Sequence, residues 1–170
     1  APRFVDRAAA LPVAHVYSGG WEHFVGGGVA VLDCDADGFP DLFAAGGASP
    51  ARLFRNATGA PGAPLRFESA ALPELRGVTG AWPIDIDGDG RPDLAVTRVG
   101  PNRLLRGEGG CRFTDATASW GFAPGDAWST AFSATWAPGA ARPTLAIGNY
   151  VDRADPEGPF GNCDANELHR

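Results

Sequence analysis

Two nine-residue stretches carry aspartates at positions 1, 3, 5 and 9: Asp33, Asp35, Asp37 and Asp41, then Asp85, Asp87, Asp89 and Asp93. Each has glycine at position 6 (Gly38, Gly90) and leucine directly after (Leu42, Leu94). Four acids crowded into nine residues repel one another, and no basic side chains alternate with them. A hard cation that prefers oxygen ligands resolves that repulsion, and this spacing is a calcium-loop pattern. The expected ligands are the four carboxylates of each loop plus one main-chain carbonyl, from Phe39 in the first and Arg91 in the second. Water fills the rest of a six- to eight-oxygen shell. The reading is therefore two Ca2+ sites.

An EF-hand would place a bidentate Glu at position 12. Here that position holds Ala44 or Val96, inside apolar runs, which argues against a helix-flanked loop. Catalytic metals keep an open position facing a cleft. These loops offer nearly saturated oxygen cages instead, so the expected role of calcium is structural, pinning a turn between two strands.

The flanks must hold the loops. Gly28–Leu32 and Gly80–Ile84 precede them, and Leu42–Ala45 and Leu94–Thr97 follow; all four are short and apolar and read as buried strands. Arg52–Asn56 and Arg103–Gly107 read as third strands. A fourth element recurs as Phe4–Ala8, Phe67–Ala71 and Phe113–Thr117. Four antiparallel strands per unit of about 50 residues describe a β-propeller blade. A third copy runs through Arg142–Ile147, but Trp136, Pro138, Ala140 and Thr144 stand where the acids should be, so strands are expected there without a cation. The fold expectation is all-β: about three blades of a propeller that closes with about four to eight, incomplete in this chain. Residues 1–17 would be the last strand of a preceding blade, 18–72 and 73–122 blades with calcium loops, and 123–170 a truncated blade without one. Such an arc is a fragment, one piece of a nicked polypeptide, or a subunit completed by a second chain.

Composition narrows the function classes. In 170 residues there are 24 Gly and 15 Pro, too many for a helical protein and suited to short strands joined by tight turns. The net charge is −6 and the charge clusters are acidic, which argues against a nucleic-acid partner. No apolar run approaches the roughly 20 residues that cross a bilayer. The chain opens on Ala1, as a processed, exported protein with its signal peptide removed would, and as a trimmed one would.

At Gly28–Leu42, Arg52–Asn56, Phe113–Thr117 and Gly148–Arg153 the chain resembles the FG-GAP/VCBS repeats of integrin-α-like propellers, most of all the exported bacterial CRTAC/ASPIC-UnbV type. The resemblance implies a seven-bladed, calcium-binding scaffold for a protein or carbohydrate ligand in the periplasm, outside the cell or on its surface. It implies no reaction, and no catalytic residue is assigned. The competing reading is an enzyme whose active site is completed by missing blades or a partner chain. Convergent polar groups on the axis-facing surface would favour the enzyme, and a bare, aromatic or Gly-lined rim would favour binding.

Trp21, Glu22 and His23 precede the run Gly26–Gly28 and are ligand-binding candidates near the axis; the plainer reading is a loop that opens a blade. Trp82, Trp120, Trp128 and Trp136 suit blade-to-blade packing. Asp152, Asp155 and Glu157 lie at the Pro/Gly-rich stretch 153–161, a binding-loop candidate or a solvated loop. In a propeller, the loops of Cys34 and Cys111 emerge on one side, which makes them a disulfide candidate, the alternative being free thiols. Cys163 falls on the opposite side and would pair outside this chain or stay free.

Overall fold

The computed structural model describes residues 1–155 and 161–170. Three antiparallel sheets follow one another along the chain. The first is β1 (Val29–Leu32), β2 (Asp41–Ala44), β3 (Arg52–Asn56) and β4 (Phe67–Ala70). The second is β5 (Val78–Ile84), β6 (Asp93–Arg98), β7 (Arg103–Gly107) and β8 (Phe113–Asp115). The third has β9 (Ser129–Thr135), β10 (Thr144–Asn149) and β11 (Glu167–His169). Within each sheet spatial order equals chain order, so every blade is a meander. Helix is confined to single 3-10 turns at Ala8–Ala10 and Trp21–His23 among the described residues. These are blades of an incomplete propeller.

Period-two alternation places the core. In β6, Leu94 and Val96 pack against the first sheet, in a cluster with Phe43, Leu53 and Val78, while Ala95 turns the other way. Ala95 joins Leu104, Phe122, Leu145 and Ile147 against the third sheet. The middle sheet is thus apolar on both faces, which explains why its strands read as continuous hydrophobic runs. Trp82 of β5 meets Phe132 of β9 with ring centroids 5.6 Å apart. A hydroxyl also crosses between blades: Thr79 Oγ1 donates to the Ser129 carbonyl at 2.6 Å.

Two expectations change. β1 is not buried throughout: Ala30 and Leu32 face the core, but Val29 and Val31 are 61 and 58 % exposed. The cause is positional, because β1 begins the first sheet and only one of its faces meets a neighbour among the described residues. Residues 1–17 form no fourth strand. Phe4 is exposed, and Ala8–Ala10 turns instead, because no described strand lies beside this segment to take its backbone hydrogen bonds.

Candidate metal centres

Both acidic loops connect the first and second strands of a blade, and the two fold alike. Asp33 accepts the amides of Asp37 (3.1 Å) and Gly38 (2.9 Å), so its carboxylate caps the turn from inside. Asp85 does the same for Gly88 (2.8 Å), Asp89 (3.2 Å) and Gly90 (2.9 Å). Gly38 and Gly90 adopt φ of 83° and 82°, the left-handed conformation that bends the chain back over the first ligand. Ala36 stands at φ 58° where the second loop has Gly88 at 77°.

The ninth-position aspartates behave differently from the others. Asp41 and Asp93 are fully buried and open the second strands. Asp41 accepts the amides of Cys34 (2.8 Å) and Asn56 (2.7 Å). Asp93 accepts those of Ile86 (2.8 Å) and Gly107 (2.8 Å). Each therefore ties its loop to the end of the third strand. Burial raises both carboxyl pKa values, the paired backbone donors oppose that rise, and the neighbouring aspartates add to it.

Carboxylate oxygens of Asp33, Asp35 and Asp37 lie within 4.8 Å of one another in the first loop, and those of Asp85, Asp87 and Asp93 do so in the second. The four expected acids of each loop do not converge equally: Asp41 sits apart from the first cluster, and Asp89 from the second. Asp89 is drawn off by Arg91 and Arg106, and its pKa is lowered, chiefly by the Arg91 amide. The loops are also not without basic partners. Arg55, on β3, pairs with Asp35 and lies 3.9 Å from Asp37. Arg106, at the matching place on β7, lies 3.0 Å from Asp87 and 3.4 Å from Asp89. The sequence reading did not single them out; their repetition at one register of two third strands is the signal that could have found them.

The donor sets fit a hard divalent cation. Four carboxylates outnumber one or two guanidinium groups in each loop. Asp35, with its side chain 10 % exposed, keeps Oδ1 buried without a hydrogen-bond partner among the described residues. An unsatisfied buried anionic oxygen is costly unless something binds it.

Cys34 and Cys111 form a disulfide, with Cα atoms 4.6 Å apart; Cys163 is exposed and free. Trp21–His23 is a 3-10 turn. Trp21 packs edge-on against buried Trp128 of the third blade (5.6 Å), joined there by Phe24 (5.9 Å) and Tyr150 (5.1 Å). His23 is buried, its Nδ1 3.9 Å from Glu22. Nearby, a cavity of about 290 Å³ opens between Gly26, Gly28, Thr79, Gly80, Trp82 and Thr130, and no titratable side chain lines it. Trp128 is core, whereas Trp136 is half exposed at a rim. In the binding-loop candidate, Asp152 accepts the Ala154 amide and Asp155 pairs with Asn162; Glu157 lies outside the described residues. No described helix is long and apolar enough to cross a membrane.

No curated protein matches the chain. A family model does: residues 33–96, from the first acidic loop through the second and into β6, match the FG-GAP-like repeat, the repeat of propeller-type scaffolds.

Proposed function

We propose that this chain is a calcium-stabilised segment of an exported, non-catalytic propeller of the CRTAC/ASPIC-UnbV type, which presents a protein- or carbohydrate-binding surface. The observation that carries the calcium reading is the repeated acidic loop, with the orphaned Asp35 Oδ1 in the first copy. Calcium occupies two sites, supplied in the first by Asp33, Asp35 and Asp37 with Asp41 and the Phe39 carbonyl, and in the second by Asp85, Asp87, Asp89 and Asp93 with the Arg91 carbonyl. Each ion fixes the turn between the first two strands of its blade. The remaining blades come from the rest of a longer polypeptide or from a second chain.

Binding is favoured over catalysis by the cavity beside Gly26 and Gly28, whose lining of glycine, valine, alanine, threonine and tryptophan carries no acid or base. Export agrees with the disulfide, a bond at home in oxidising compartments. The test is thermal unfolding in calcium and in chelator. Calcium at a hundredfold excess over Kd adds about 2.7 kcal/mol per site, which moves the Tm of a chain this size by roughly 5–11 °C. An identical Tm in chelator and in millimolar calcium would contradict the proposal.

A further inference from the structure

The two acidic loops share one clamp and differ in one covalent bond. In each, the second residue donates its amide to the ninth-position aspartate at 2.8 Å: Cys34 to Asp41 and Ile86 to Asp93. Only in the first loop is that residue bonded onward, to Cys111 in the β7–β8 turn of the neighbouring blade, 77 positions away. The Cys111 amide also donates to the Cys34 carbonyl at 3.1 Å. The two sulfurs lie 2.9 and 3.4 Å from Asp41 Oδ2, and all three residues are buried. Cys34 stands between Asp33 and Asp35, so the main chain that carries both carboxylates cannot shift without dragging the next blade.

We propose that the Cys34–Cys111 disulfide positions the carboxylates of the first loop for its cation, so that the first site, and not the second, is coupled to the thiol–disulfide state. This rests on the calcium reading above. A dithiol supplies two electrons and two protons; the S–S bond breaks, Cys34 and Cys111 become thiols, and the dithiol closes to its own disulfide. Two changes then meet at Asp41. The loop loses its covalent tie to the β7–β8 turn and has more conformational freedom to surrender when it orders around an ion. The new S–H groups, weak donors, also face the Asp41 oxygen that the half-cystines had only touched. Coupling of this kind is reciprocal: whatever factor reduction removes from calcium affinity, calcium returns as resistance to reduction. Ile86 has no sulfur, so the second site serves as an internal control.

The experiment follows reduction by dithiothreitol, with thiol alkylation and intact mass, in calcium and in chelator. Three proteins are compared: the unchanged chain, Asp33→Asn and Asp85→Asn. Cys163 contributes a constant single alkylation in all of them. Calcium is expected to shift the reduction midpoint by about fivefold or more in the unchanged chain and in Asp85→Asn, and not in Asp33→Asn. Equal protection in all three would overturn the proposal, because it would report general stabilisation and not positioning. No protection, with two ions bound by calorimetry, would overturn the coupling and leave the calcium reading standing. No bound calcium at all would remove both. If Asp33→Asn does not fold, Asp37→Asn, altered at an exposed position of the same loop, carries the same expectation.

Discussion

The Asp41 carboxylate accepts the Asn56 amide at 2.7 Å, joining the end of the first acidic loop to the end of the third strand across 15 positions. Asp93 and Gly107 repeat the contact in the next blade at 2.8 Å. The ninth acid of each loop is thus a clamp first. Replacing Asp93 by Ala leaves the Ile86 and Gly107 amides unpaired in a buried place, at about 1–3 kcal/mol each. Denaturant unfolding should show a loss of roughly 2–6 kcal/mol even in chelator; a loss seen only in calcium would mean that Asp93 acts solely as a ligand.

Arg106 competes with a cation for Asp87 and Asp89. Arg106→Gln should tighten calcium at the second site by about two- to fivefold, the size of a part-exposed ion pair, and leave the first site unchanged. Site-resolved titration checks this. Weaker binding would show that the guanidinium organises the loop and does not oppose the ion.

Ala36 holds a left-handed conformation that a Cβ disfavours, where the second loop uses Gly88. Ala36→Gly should therefore stabilise the chain by about 1 kcal/mol, and Gly88→Ala should destabilise it by a similar amount. Chemical denaturation of the two variants decides it; a destabilising Ala36→Gly would mean that the loop gains more from a stiff backbone than it loses to strain.

The buried clamps set a pH dependence. Burial raises the folded-state pKa of Asp41 and Asp93, so the folded chain holds these protons more tightly than the unfolded chain does. Their stabilising contribution is complete below the ordinary carboxylate range and is lost as pH rises through the raised values. In chelator, the stability of the unchanged chain relative to an Asp41→Asn/Asp93→Asn variant should fall as pH rises from the ordinary carboxylate range through the raised values. A difference that grows with pH would show that the backbone donors outweigh burial.

Much of the architecture was legible in local pattern. Gly38 and Gly90 marked the turns, the apolar runs around Asp33 and Asp85 marked first and second strands, and Arg52–Asn56 with Arg103–Gly107 marked the third. These signals are local, and a meander needs little else. What local pattern hides is contact made through the fold. The pairing of Arg55 with Asp35 joins residues 20 apart. The packing of Trp21 on Trp128 joins the start of one blade to another. The division of labour among the four acids of a loop is likewise hidden, because burial makes Asp41 and Asp93 clamps while the same residue type at Asp37 stays exposed. Val29 and Val31 misled for a related reason: hydrophobic type alone does not say whether a neighbour covers the face.

Calorimetric titration of chelator-stripped protein with calcium tests the central claim most directly. The account predicts two ions for the unchanged chain, one for Asp33→Asn, one for Asp85→Asn and none when both are changed. Two ions retained by the double variant, or no binding by the unchanged chain in millimolar calcium, would contradict it.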